Sequence, residues 1–271
     1  MLQLVPTPIG NLSDISQRSL DALFGASIIL CEDTRITHKL LTLLAQRYDH
    51  PKYNAKLVSL HSHNEADFIA KLTPDFFDAA IVYVSDAGMP GISDPGQLLV
   101  DYCLQHDIAY EVLAGASALL VAFVASGFNQ TQFVFGGFLP HKQENRRTAL
   151  AKLIDTQLTV ILYEAPHRLL ELLEALVALD SHHPIFVAKE LSKLHETKFR
   201  GTAIEVFNTL KTTSIKGEWV VVLSPFVKTK TLQLGEEELL KLSLPPKEKA
   251  KLLAQLGTKS AKEWYEELCN A

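Results

Sequence analysis

Ala79-Ala80-Ile81-Val82-Tyr83-Val84, followed directly by Ser85-Asp86-Ala87-Gly88-Met89-Pro90-Gly91-Ile92-Ser93-Asp94-Pro95-Gly96, sets an unbroken apolar run against a loop of small, acidic and rigid residues. The run lacks the alternation of a strand with one wet face, so it reads as a strand buried on both sides in a helix-covered parallel sheet. The loop then lies at the carboxyl end of that strand, where open α/β sheets bind ligands. Three glycines and two prolines within its last nine residues fix the backbone path, and the two aspartates can accept hydrogen bonds from a ligand or from main chain. The competing reading is a rigid loop that only caps a helix at Gly96.

Similar apolar runs recur at residues 2–6, 28–31, 56–60, 109–113, 133–136, 158–163, 184–189 and 219–223. Helical patterns lie between them at residues 16–23, 37–45, 65–72, 96–105, 117–125, 144–153, 167–179 and 202–210. Strand and helix in alternation specify an α/β fold. Small residues gather at 111–118 and set a boundary there, giving α/β domains 1–114 and 115–225 with a cleft between them. Residues 226–271 differ in character: a polar linker at 228–234 leads to a small helical appendage, with helices expected at 236–242, 247–256 and 260–268.

A chain of 271 residues, 47% hydrophobic and 21% charged, can bury a core without disulfide or metal. Cys31, Cys103 and Cys269 are scattered and form no C-x-x-C pair, so neither a zinc site nor a disulfide framework is expected, and reduced thiols suit the cytoplasm. The amino terminus has no basic region, and the longest apolar stretch, near residues 118–125, is too short to span a bilayer. A net charge of −5 argues against wrapping of nucleic acid, DNA included, by a basic surface, yet leaves room for an RNA bound through a local basic patch.

The polar motifs fall at strand ends in both halves. Pro6-Thr7-Pro8-Ile9-Gly10-Asn11 follows the first strand but carries neither a dinucleotide fingerprint nor a P-loop. Cys31-Glu32-Asp33-Thr34-Arg35 offers two acids and a guanidinium, either as a local ion-pair network or facing a cleft. His61-Ser62-His63-Asn64-Glu65 is a further polar cluster, with no fourth ligand to make it a metal site. Ser117-Ala118 opens a helix whose free N–H groups suit a ligand. Gly136-Gly137-Phe138-Leu139-Pro140 runs into Lys142, Arg146 and Arg147, the best candidates for an RNA-phosphate contact. Tyr163-Glu164-Ala165-Pro166-His167-Arg168, Lys189-Glu190 and Glu218-Trp219 complete the set.

Taken in order, Thr7 to Leu12, Glu32 to Arg35, His63 to Glu65, Asp86 to Gly88 with Ser93 to Gly96, Tyr163 to Arg168 and Lys189 to Leu191 resemble the signature motifs of the RsmI family. These are bacterial 16S ribosomal RNA (cytidine-2′-O)-methyltransferases of the tetrapyrrole-methylase superfamily. The resemblance covers roughly residues 2 to 223 and departs from the family at Ala114-Gly115-Ala116 and at Lys189, where proline and arginine are usual. It implies two α/β domains of tetrapyrrole-methylase type, a homodimer, a 16S rRNA substrate in the 30S subunit, and S-adenosylmethionine in the inter-domain cleft. The cofactor residues implied are Pro8, Ile9, Asp86, Ala87, Gly88, Met89, Pro90, Ser117, Ala118, Tyr163, Glu164, Ala165, Glu218 and Trp219.

Methyl transfer to a ribose hydroxyl needs in-line alignment and a route for the proton. Glu32, Asp33, His61, His167 and Glu190 are candidates for base or orienting group, while Arg35, Arg168 and Lys189 are candidates to stabilise negative charge or hold phosphate. Glu32 and Arg35 rank first because they share a strand end. The rival readings are a methyltransferase of the same fold acting on a tetrapyrrole, and a non-catalytic nucleotide-binding protein.

Overall fold

A computed structural model describes residues 1–226, 235–257 and 259–270. In chain order its elements are β1 (Leu2–Leu4), α1 (Gln17–Gly25), β2 (Ile28–Cys31), α2 (Thr34–Arg47), β3 (Lys56–Ser59), α3 (Glu65–Ile69), β4 (Ile81–Val84), α4 (Gln97–Gln105), β5 (Tyr110–Val112) and α5 (Ala118–Ser126). There follow β6 (Phe133–Phe138), α6 (Gln143–Asp155), β7 (Thr159–Glu164), α7 (Pro166–Leu179), β8 (Pro184–Lys189), β9 (Thr197–Thr202), α8 (Ala203–Lys211) and β10 (Trp219–Leu223). The last helices are α9 (Glu236–Lys241), α10 (Pro246–Ala254) and α11 (Ala261–Asn270).

The first sheet runs β3-β2-β4-β1-β5, parallel throughout. Along β4, Val82 and Val84 join Leu20, Leu23, Leu41 and Leu44 of α1 and α2 on one face, while Ile81 and Tyr83 join Leu99 and Cys103 of α4 on the other. Both faces are covered, which is why the run carries no alternation. Local signals place the helices: Ser16 caps α1, Asp33 caps α2 through the Arg35 N–H, and Pro166 opens α7.

The second sheet runs β6-β7-β10-β8-β9 and differs from the parallel sheet expected. Only β6 and β7 are parallel; β10 inserts antiparallel between β7 and β8, and β9 lies antiparallel on β8. Burial on both faces gives the same continuous apolar reading in either direction. Trp219-Val220-Val221-Val222-Leu223 is buried at every position, which contributes about 1.5–3 kcal/mol for each large side chain. Strand β9 escaped the sequence reading because it is an edge strand with exposed Lys198 and Arg200 around a single apolar Phe199. One face of this sheet packs on α7 and α8; the other holds Leu119 and Ala122 of α5 together with Ile9.

Met1–Phe226 forms one compact unit. The carboxyl-terminal helices form another, with Leu239, Ala250, Leu253 and Trp264 as its core. Helix α11 starts from Ser260, which exchanges hydrogen bonds with Glu263. The linker expected at 228–234 and Thr258 lie outside the described residues. Among those described, no helix is long and apolar enough to cross a membrane, and no group of His, Cys, Asp or Glu is arranged to hold a metal ion.

Candidate active site

The carboxyl ends of β1, β2 and β4, the start of α5, and the ends of β6, β7 and β8 converge on one pocket of about 410 Å³. Because β10 runs opposite to its neighbours, its first residues, not its last, reach the same place.

Its floor is the loop after β4. Gly88 exchanges backbone hydrogen bonds of 3.0 Å with Thr7, which fastens the loop after β1 to it. Gly96 takes φ +123 and lies so close to the Tyr83 ring that an added Cβ would stand 2.6 Å from its edge; a side chain is excluded there. The Gly96 N–H donates to Glu65 at 2.8 Å, which gives that member of the polar cluster a bracing role. Adjacent strand ends are laced together as well: the Asp86 N–H donates to Glu32 at 3.3 Å, and the Asp33 N–H donates to the Asp86 carboxylate at 3.2 Å.

Twelve of the fourteen expected cofactor residues line the pocket: Ile9, Asp86, Ala87, Gly88, Met89, Ser117, Ala118, Tyr163, Glu164, Ala165, Glu218 and Trp219. Pro8 and Pro90 do not. The Glu164 side chain is wholly buried and paired with Arg168, Nε to Oε1 at 3.1 Å. Burial pushes the Tyr163 hydroxyl up to about 12 and so keeps it protonated.

Of the expected catalytic residues, Glu32 alone lines the pocket. Burial, the Asp94 charge and the Asp86 charge push its carboxyl up to about 7, against the pull of the Asp86 N–H. Arg35, paired with Glu32 by sequence, points away: its side chain is 89% exposed and chelates Asp33 at 2.6 and 3.0 Å. Those hydrogen bonds hold the Asp33 carboxyl at about 2. His61 lies off the pocket with a buried Nδ1 that has no partner, and His167 is exposed on the first turn of α7. Lys189 donates to the Ser214 carbonyl at 2.6 Å and lies over the Trp219 ring. Glu190 accepts from the Glu218 N–H at 2.8 Å and pairs with Lys193 at 3.0 Å, so it braces the pocket wall from behind.

The basic cluster divides. Lys142 and Arg147 are exposed. Arg146 is buried, bound to Glu171 at 2.6 Å and to the carbonyls of Pro140 and His141, and offers no free guanidinium to a phosphate. Arg168 is spent likewise on Glu164 and on the Leu139 carbonyl at 2.6 Å.

The sequence reading missed Asp94, Phe138 and Leu191 among the lining residues. Asp94 and Leu191 both stand inside motifs read from the sequence; what the sequence did not show is that Glu190 and Ser192, on either side of Leu191, take positive φ.

A sequence profile described as Tetrapyrrole (Corrin/Porphyrin) Methylases matches residues 1–206. Ribosomal RNA small subunit methyltransferase I of Helicobacter pylori is 45% identical over 98% of this chain and 96% of that protein. The protein of the same name from Campylobacter fetus is 41% identical over 99% of each. Among solved structures, diphthine synthase aligns with TM-score 0.60 at 14% identity, over 82% of this chain and 89% of its own. Uroporphyrin-III C-methyl transferase from Thermus thermophilus, complexed with S-adenyl homocysteine, aligns with TM-score 0.57 at 16% identity, over 82% and 96%. At such identities the structural likeness speaks for the fold alone, whereas the sequence relatives are near enough to fix membership. The chain belongs to the tetrapyrrole methylase family and, within it, to the ribosomal RNA small subunit methyltransferase I group.

Proposed function

We propose that this protein transfers a methyl group from S-adenosylmethionine to the ribose 2′-oxygen of a cytidine in the decoding region of 16S rRNA. It acts on the 30S subunit, in the cytoplasm, as a homodimer. The observation that carries the reading is 41–45% identity, over nearly the full length, to proteins named as small-subunit rRNA methyltransferases.

The pocket fits the donor. Its volume of about 410 Å³ lies in the range of small-molecule sites. Ile9, Ala118, Leu191 and Val220 supply apolar surface, and Glu32, Asp86 and Asp94, lining acids that form no ion pair among the described residues, suit a positively charged ligand. The bound donor would supply an electrophilic methyl carbon with a good leaving group. The protein's task is then alignment of the hydroxyl and acceptance of its proton. Glu32 takes the second role in this reading, since of the bases named from the sequence it alone lines the pocket. Lys142 and Arg147 remain for phosphate, and residues 1–114 and 115–225 are read as the two domains that share the pocket. The homodimer is supported by α5, where Leu120, Val121 and Val124 are exposed, Val124 to 78%.

Labelled methyl transfer to undermethylated 30S subunits and to free 16S RNA tests the reading, with the modified nucleotide mapped by resistance to alkaline cleavage. One ribose-methylated cytidine is the expected result. Label on a base, or transfer to a tetrapyrrole with none to RNA, would overturn it.

A further inference from the structure

Three aromatic side chains line the pocket, and they are enclosed to different degrees. Trp219 is buried and Tyr163 half-buried, whereas Phe138 is 55% exposed. Phe138 reaches the pocket only because β6 is irregular. Up to Phe135 the strand alternates: Phe133 and Phe135 pack with Ile161 and α5, while Val134 joins the opposite core with Leu153 and Leu162. Gly136 lies on that second side, where an added Cβ would stand 2.6 Å from Leu153 and 2.8 Å from Leu162. Regular alternation would turn Phe138 the same way, off the pocket. A bulge between Phe135 and Gly137, with Gly137 at φ +58, sets one extra residue against β7, so Phe138 pairs with Tyr163 and not with Glu164. Its ring thus lands on the face of Tyr163 and Phe135: the Phe138 and Tyr163 rings lie 5.7 Å apart, and those of Tyr163 and Phe135 4.9 Å.

The next three carbonyls are all held by buried arginines. Arg168 donates to Leu139 at 2.6 Å, and Arg146 donates to Pro140 at 3.3 Å and to His141 at 3.0 Å. Glu164 and Glu171 neutralise the two guanidiniums. Burying charge is expensive, and here it fixes the course of the chain immediately after Phe138. A surface element set in shape before its ligand arrives loses less entropy on binding. Lys142 and Arg147 stand exposed just beyond it.

We infer that Phe138 is the platform on which the base of the target nucleotide stacks when its ribose enters the pocket. The inference rests on the reading of this chain as an RNA ribose methyltransferase. A nucleotide drawn out of an RNA fold loses the stacking of its neighbours, and an aromatic ring at the pocket mouth replaces it. Phe138 suits that part: it borders the pocket, it is open to solvent where an RNA would arrive, and exposed cations follow it for the adjoining phosphates. The more enclosed Tyr163 and Trp219 are left for the donor. Stacking tolerates any base, so the ring holds the nucleotide without choosing it.

The test is single-turnover methylation of undermethylated 30S subunits by the wild type, Phe138→Leu and Phe138→Tyr, with 30S below half-saturation and the donor raised to saturation for each protein. Saturation removes any weakening of donor binding from the comparison. Phe138→Leu keeps apolar bulk but loses the ring, and its rate is expected to fall about tenfold or more. Phe138→Tyr, which restores the ring, is expected to recover most of that loss. A fall of less than about threefold in Phe138→Leu overturns the inference, since a base stack is worth more. So does a loss that Phe138→Tyr leaves in place, or one that vanishes once the donor is saturating, which would make Phe138 a donor contact. Should Phe138→Leu fail to fold, ultraviolet cross-linking of the wild type to 30S subunits decides. The peptide that carries Phe138 joined to the methylated nucleotide supports the stack, and cross-links to other peptides alone overturn it. A wild type that methylates no RNA overturns the functional reading and this inference with it; failure of the inference alone shows only in the variants and the cross-link.

Discussion

Glu32 holds its proton to about pH 7, where an ordinary glutamate gives it up near 4.5. Between those values the folded chain binds more protons at this site than the unfolded chain does. Stability is therefore present below 4.5 and lost as pH rises through the window to 7, with no recovery above it. Urea midpoints on either side of that window should fall with rising pH in the wild type, and Glu32→Gln should flatten the change. Glu164 is held by a buried partner. Its side chain is 0% exposed and that of Arg168 is 6% exposed, so Glu164→Gln strands a buried guanidinium. A loss of about 3–5 kcal/mol in denaturant unfolding is expected. Strand-end position brought Glu32 and Arg35 forward together by sequence. It could not separate Glu32 from Arg35 or foresee that Arg146 and Arg168 fold inward, because spacing gives a residue's place on an element and not the partner its side chain finds.

The elements were legible wherever burial wrote a continuous apolar run, and β2 and β10 begin and end where expected, at 28–31 and 219–223. Direction was not legible. An antiparallel strand buried on both faces has the same composition as a parallel one, so the mixed second sheet emerged only from its pairing. The edge strand β9 was lost for the opposite reason, since the charges that protect an edge also erase its pattern. Helix α5 carries the clearest prediction at this scale. Its inner face, Leu119 and Ala122, covers the second sheet, while Leu120, Val121 and Val124 face outward on the same apolar helix. If that face is the homodimer contact, Val124→Asp should halve the mass measured by sedimentation and leave the far-ultraviolet dichroism unchanged.

At the scale of the whole unit, the two sheets are joined by packing as well as by chain. Ile9, from the loop after β1, sits in the core of the second sheet, and a Cβ on neighbouring Gly10 would stand 2.8 Å from the Lys193 backbone. The first sheet is threaded in a way that matters before the protein is finished. β1 lies between β4 and β5, so Leu2–Leu4 pair with Ile81–Tyr83 on one side and with Tyr110–Val112 on the other. Both partners are synthesised long after β1, and contacts so distant in sequence form late. Leu2 and Leu4, fully or nearly fully buried in the folded chain, are then bare apolar side chains during elongation. Ribosome-stalled chains that stop short of Val112 should expose this segment to protease, and chains that have released it should protect it. The strand made first is thus the one that waits longest for both of its neighbours.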